Sequence, residues 1–314
     1  MDVLVRQGLA QTLVQLANRT PDMRILCSSG LDRELTAGLE RNLPAHTEKA
    51  IPSPEALAAQ AAGLVRAGKQ VWCLGPSVEL VAEAYSALRV LSAFNGLSVR
   101  LVSTVAGLSG SSEGAVSQML EDIPLMRSLP GMTVLMPSDG PSARFLLAHA
   151  SGDAGASYIR LPSAFPAQDL SRPLPLDEEN WRGMALTDGS DVTICACGMM
   201  IREALKAAQV LARQGIGASV VDVFSPTHLP EDAILSSARK TGCVVTVEEG
   251  RQAGGMGEAV AQLLCSAYPV PAKNLSIRDR AGQSGLCDEL LEYYGLSSRD
   301  IVTAAVQVWA MRRR

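Results

Sequence analysis

A small set of residues has the type and placement to do chemistry. Glu55 stands in SPEALAAQAAG, directly after a Ser-Pro pair. Ser53 suits a helix N-cap, Pro54 the first helical position, and the Glu55 carboxylate complements the helix dipole. The same carboxylate could serve as a proton carrier, so a structural and a catalytic reading both stand. Cys195 and Cys197 form C-x-C within DVTICACG. On a strand both thiols point the same way, which is compatible with a metal but equally with two small apolar side chains on a buried face. No second ligand pair accompanies them, and His46, His149 and His228 are scattered without metal spacing. The run GGMGEAVAQ places glycines at the opening of a helix, which permits close backbone packing or an anion contact. Arg251 lies three residues before it, as a surface cation or a site-facing one.

These residues need elements to position them. Apolar, β-branched runs predict strands over 23–29, 69–75, 97–104, 132–138, 156–161, 191–197, 217–224 and 243–249. Between them lie stretches of helical period, such as PEALAAQAAGLVRAG, SVELVAEAYSALRVLSAF and MIREALKAAQVLARQG. Strand–helix alternation predicts an α/β fold of mostly parallel, doubly wound sheets with helices on both faces. The Pro- and acid-rich stretch PSAFPAQDLSRPLPLDEENW breaks the pattern and reads as a connection. We therefore expect a first domain over 1–165, a linker over 166–189 and a second domain over 190–314.

Bulk properties narrow the function. The chain has 314 residues, a formal net charge of -4 and 47% hydrophobic content. The acidic balance argues against a nucleic-acid partner. The one basic cluster, Arg312 to Arg314, reads as a frayed tail. The N-terminus MDVLVRQGLAQTLVQLA is an amphipathic helix pattern rather than a secretory leader, and no apolar run approaches the roughly 20 residues of a membrane span. Seven cysteines, an odd count in apolar surroundings, predict reduced thiols. A cytoplasmic protein is expected.

Longer motifs are more specific. AGLSGSSEGAVSQMLEDIPLMRSLPGMTVLMPSD resembles the pyrimidine-binding domain of transketolases. TGCVVTVEEGRQAGGMGEAVAQLL and IRDRAGQSGLCDELLEYYGLSSRDIVTAA resemble the C-terminal domain of transketolases and 1-deoxyxylulose-5-phosphate synthases. The likeness spans the chain and is greatest to C-terminal sections of split transketolases. It implies thiamine diphosphate held between two chains, with diphosphate and Mg²⁺ gripped by an N-terminal-half partner through a Gly-Asp-Gly motif. This chain has no Gly-Asp-Gly. Two-carbon ketol transfer would then require a heteromer, with self-association into a heterotetramer or homodimer.

The resemblance also assigns roles. The family's ring-protonating Glu lies nine residues before a helical Gly, here Gly63; counting back reaches Pro54, and Glu55 follows it. Aromatic side chains that line the ring are replaced by Pro76 and Glu79, leaving Trp72 as the one nearby aromatic, a ring platform or a core residue. Glu113 stands for the family's loop Asp as a cofactor contact, and Ser117 for its His. Val105 replaces a further His, and Ser163 an Arg used for phosphate. Ser117, Arg160 and Arg251 remain as substrate-facing candidates. A Ser supplies neither imidazole chemistry nor a bidentate cation, so the second expectation is a catalytically degenerate subunit with an assembly or regulatory role. Arg89, Gly107, Gly114, Glu121, Asp122, Arg127, Pro137, Asp139, Glu248, Glu249, Gly254, Gly255 and Gly257 match the family's framework.

Overall fold

The computed structural model describes residues 1–165, 170, 177 and 179–312, apart from the Lys49 side chain. Two sheets carry the fold. In the first sheet β1 (Met23–Ser28), β2 (Thr47–Ile51), β3 (Gln70–Gly75), β4 (Val99–Ser103), β5 (Met132–Leu135) and β6 (Ala156–Arg160) run parallel in the order β2-β1-β3-β4-β6-β5. The second sheet joins β7 (Gly183–Ala185), β8 (Val192–Ala196), β9 (Ala218–Val223), β10 (Val244–Arg251) and β11 (Ala272–Ile277) in the order β11-β10-β8-β9-β7. Only β7 is antiparallel. The α/β, mostly parallel architecture read from sequence is the one observed.

Helices cover both faces of each sheet. On one face of the first sheet lie α1 (Val3–Arg19), α2 (Arg33–Asn42) and α6 (Gly140–Gly152), packed on Ile25, Cys27, Trp72, Leu74 and Ile159. On the other lie α3 (Pro54–Arg66), the helical segment from Val78–Glu83 through α4 (Tyr85–Leu88) to Arg89–Phe94, and α5 (Asp122–Arg127). Strand residues alternate between the two clusters, Val71 and Cys73 on one side and Trp72 and Leu74 on the other, as a pleat of period two requires. The second sheet is sandwiched by α7 (Met200–Arg213), α10 (Cys287–Tyr294) and α11 (Ser298–Met311) on one face, and α8 (Glu231–Thr241) and α9 (Met256–Ala267) on the other. One apolar cluster crosses between the sheets: Ile123, Val134 and Tyr158 share it with Cys195, Val221 and Met256.

Three local readings change. Gly183–Ala185, placed in the connection by its composition, pairs with β9 as an edge strand. The rest of that connection falls largely outside the described residues. The Val78–Phe94 helix is wound mainly as π-helix around a four-residue α core. Arg312 is no frayed tail: it pairs with Asp191 at 3.2 Å and covers the Trp309 ring. Arg313 and Arg314 lie outside the described residues. Among the described residues no helix is long and apolar enough to cross a membrane.

Candidate functional site

The candidate carboxylates sit on connections at the carboxyl ends of the first sheet, where open α/β sheets present ligand-binding loops. After β2, Ser53 caps α3 by accepting from the Ala56 amide at 3.2 Å, and Pro54 opens the helix. Ser53 Oγ donates to Glu55 Oε2 at 2.7 Å. That bond holds the exposed Glu55 carboxyl below the ordinary range, which favours the charged form.

After β4, the chain makes a tight 3₁₀ loop, Gly107–Glu113 and Ala115–Ser117. Glu113 is exposed and Ser117 half-buried, with Ser117 Oγ donating to the Glu113 carbonyl at 3.2 Å. Val116 between them is 90% exposed. The loop is anchored from behind. The Leu108 amide donates to Glu249 Oε2 at 2.7 Å, and Gln118 trades hydrogen bonds with the Gln283 backbone at 2.9 and 3.2 Å. A rigid loop thus presents Glu113 and Val116 to solvent from a base built by the second domain.

After β1 and β3, two further loops meet. The Gly30 amide donates to Glu79 Oε2 at 3.2 Å. A Cβ at Gly30 would meet Glu79 Oε1 and touch Pro76, so a larger residue there would displace the Glu79 carboxylate. Sequence reading noted Glu79 only as a replacement for an aromatic. Its tie to Gly30 joins positions 49 residues apart and has no local sequence signal.

Trp72 is not a ring platform. It is fully buried on the α1, α2 and α6 face, and its Nε1 donates to Gln70 Oε1 at 3.1 Å. A central-strand position pointing into the core cannot stack on a ligand at the strand ends.

Arg160 is likewise removed from a substrate. It is 3% exposed, and its guanidinium bonds Asp122 Oδ2 at 2.7 Å and Glu249 Oε1. Tyr158 donates to the same Asp122 oxygen at 2.7 Å. Burial opposes charge on Arg160, but Asp122 and Glu249 hold its pKa well above an ordinary arginine. Beside this cluster, Arg127 donates to the carbonyls of Gly254 and Gly255, while Glu248 accepts the Met256 and Gly257 amides at 2.7 and 2.8 Å. Framework residues recognised singly from sequence therefore assemble into one buried joint between the two domains. Arg251 lies apart from the carboxylates as well. Its Nη1 donates to the Arg278 carbonyl at 2.7 Å, in an open groove with Glu121, Pro124 and Glu258. Ser163 lines a cleft of about 340 Å³ along the domain seam, with its hydroxyl bonded to the Ser109 carbonyl at 2.5 Å.

Cys195 and Cys197 are fully buried. Burial pushes the Cys195 thiol up to about 12 and raises that of Cys197 well above the ordinary thiol value, so both behave as small apolar side chains. Among the described residues no group of three or more His, Cys, Asp or Glu side chains could hold a metal.

Comparison with known proteins agrees with this architecture. Residues 53–164 match the transketolase pyrimidine binding domain, and residues 182–301 the transketolase C-terminal domain. The putative transketolase C-terminal section of Methanocaldococcus jannaschii is 32% identical over 95% of this chain and 93% of its own length. The 6-deoxy-6-sulfo-D-fructose transketolase subunit SqwH of Clostridium sp. is 40% identical over 69% of this chain and 66% of its own length. A solved structure described as a split gene transketolase, inactive beta4 tetramer, superposes with a TM-score of 0.88 at 32% identity, covering 98% of both chains. The two matched domains, in this order and over nearly the whole length of such relatives, establish that the chain belongs to the transketolase family.

Proposed function

We propose that this chain is the C-terminal-half subunit of a split, thiamine-diphosphate-dependent transketolase that transfers two-carbon ketol units together with an N-terminal-half partner. One observation carries the reading. The Gly107–Ser117 loop is held rigidly from behind by Glu249 and Gln283, yet offers Glu113 and the 90% exposed Val116 to solvent. A loop braced from behind and open in front supports a site whose other wall comes from another polypeptide.

The residues present fit one end of the cofactor. Glu55, Glu113 and the Gly30–Glu79 pair line the strand ends with hydrogen-bonding groups suited to a heteroaromatic ring. The diphosphate and Mg²⁺ fall to the partner, because the Gly-Asp-Gly motif is missing from this sequence. Bound thiamine diphosphate supplies the electron sink for breaking and forming carbon–carbon bonds. This chain orients the ring, anchors the loop that shields it and excludes water along the domain seam. Subunit names among the relatives support a heteromer, and the inactive β4 tetramer supports self-association of the half alone.

A substrate without a phosphate follows from the same residues. Arg160 is committed to Asp122 and Glu249, and Ser163 replaces the second cation. Those losses also favour a second reading, a catalytically silent subunit with an assembly role. Co-purification with a transketolase N-terminal half, followed by a ketol-transfer assay with thiamine diphosphate and Mg²⁺, separates the two. Turnover by the pair and none by either half alone is the expected result. A stable pair with no turnover on any ketose, phosphorylated or not, leaves the assembly role.

A further inference from the structure

The loop between β4 and α5 is closed at its neck and held at its tip by different parts of the second domain. The Gly107 amide donates to the Met119 carbonyl at 3.1 Å, so the chain leaves and returns at one point. β10 grips that neck: Glu249 Oε2 accepts the Leu108 amide, and the Arg251 amide donates to the Leu120 carbonyl at 2.8 Å. From Ser111 to Ser117, by contrast, the hydrogen bonds join residues of the loop to one another. Local bonds give a tip its shape and leave its direction to whatever scaffold holds it from outside.

Gln118 supplies that hold. Its side chain is 4% exposed, and both ends of the amide are used on one residue of the second domain. Nε2 donates to the Gln283 carbonyl at 2.9 Å, and Oε1 accepts the Gln283 amide at 3.2 Å. A reciprocal pair of this kind fixes orientation as well as distance, as a hydrogen-bonded pair does in an antiparallel ladder. Gln283 lies in the connection 278–286 between β11 and α10, which is itself pinned. Arg251 Nη1 donates to the Arg278 carbonyl and the Tyr294 hydroxyl to the Ala281 carbonyl, both at 2.7 Å. Gly282 presses on the loop from the same connection: a Cβ there would stand 2.5 Å from the Ala115 carbonyl oxygen and 2.9 Å from Gln118 Oε1. Its backbone is outside the left-handed region, so a side chain at 282 acts through that contact and not through strain.

We propose that Gln118 is a positioning residue: its amide couples the site loop to the connection 278–286, so the second domain sets where the Glu113 carboxylate stands. The clamp lies at the back of the loop and Glu113 at its exposed front, so Gln118 acts through Glu113 and not on a ligand. This role rests on the functional reading proposed above.

Two measurements test it. Amide hydrogen exchange is read on the full chain alone. Ketol transfer is read as kcat/KM on the chain reconstituted with a transketolase N-terminal half, thiamine diphosphate and Mg²⁺, with hydroxypyruvate as donor and glycolaldehyde as acceptor. Both are run where thermal melts show every variant folded. Gln118→Ala removes the clamp, and Gly282→Ala drives a wedge into it from the second domain. Each should speed exchange across 107–119 by about tenfold and lower kcat/KM by about 10- to 100-fold, the scale of a small misplacement of a site group. Ser284→Ala, exposed on the same connection, should match the parent in both. The double variant separates positioning from a general loss of structure. Once Glu113→Gln has removed the carboxylate to be placed, adding Gln118→Ala should cost less than about threefold more. Losses that multiply in the double variant overturn the positioning role, as does Glu113→Gln at the parent rate. Unchanged loop exchange in both Gln118→Ala and Gly282→Ala overturns the clamp itself. A parent pair without turnover overturns the functional reading, and the role of Gln118 in it, while the exchange arm still decides whether Gln118 holds the loop.

Discussion

Arg160 on β6 grips Glu249 on β10, an ion pair between two sheets whose partners are 89 residues apart in sequence. Asp122 closes the group from α5, and all three side chains are at most 3% exposed. Buried carboxylates without a cation are costly, so the pair holds the joint chiefly by making its own loss expensive. Arg160→Met should lower unfolding free energy by about 3–5 kcal/mol in urea titrations. Adding Glu249→Gln should recover part of it, because one stranded charge is removed. A loss within the range of an exposed substitution would show that the joint does not depend on this pair.

Glu248 gives the joint a pH dependence. Burial raises its carboxyl to about 7, against hydrogen bonds from Gly257 and Met256 that lower it. The folded chain therefore keeps a proton that the unfolded chain releases near the ordinary glutamate value. Stability from this group is present below about 4.5 and falls as pH rises toward about 7, by at most roughly 3 kcal/mol. Urea midpoints across that window should show the decline, and Glu248→Gln should flatten it. A parent profile with no decline there would contradict this.

Trp72 separates core from site. It is among the largest fully buried side chains, packed under α1, α2 and α6. Trp72→Ala should cost about 3–5 kcal/mol by urea denaturation, the range for emptying an aromatic core position. Its folded fraction should bind thiamine diphosphate in the reconstituted pair as the parent does. Loss of cofactor affinity with unchanged stability would restore the ring-platform reading.

Two glycines offer a matched comparison. Gly107 (φ +55°) and Gly131 (φ +76°) both occupy the left-handed region, but only at Gly107 would a Cβ strike Arg160 and Glu249. Gly131→Ala meets open space and should cost about 1 kcal/mol from backbone strain alone. Gly107→Ala should cost about 2 kcal/mol more, since the ion pair must shift. Equal costs from thermal melts would mean that the joint yields easily.

Much of this was legible in the residues. All eight runs read as strands are strands: seven are interior, where parallel sheets are apolar on both faces, and the eighth, β5, is an edge strand that is nevertheless buried throughout. The three missed, β2, β7 and β11, are all sheet edges. TEKAI and AKNLSI each carry charged or amide residue types that interrupt an apolar run, and GMA is three residues long, so none has a distinctive run. The capped start of α3 was readable because a cap is local; whether Glu55 does more is not local. Trp72 and Arg160 show the limit most clearly. Residue type marked them as able to stack or to bind an anion, but depth decided their roles, and depth comes from partners far away in the chain. The Glu79–Gly30 tie was invisible for the same reason.

The apolar cluster shared by the two sheets, together with the Arg160 group, joins the described parts of the two domains through a packed interior. Parting the two sheets would mean exposing that interior to water, a cost that scales with apolar area rather than with the stiffness of a connection.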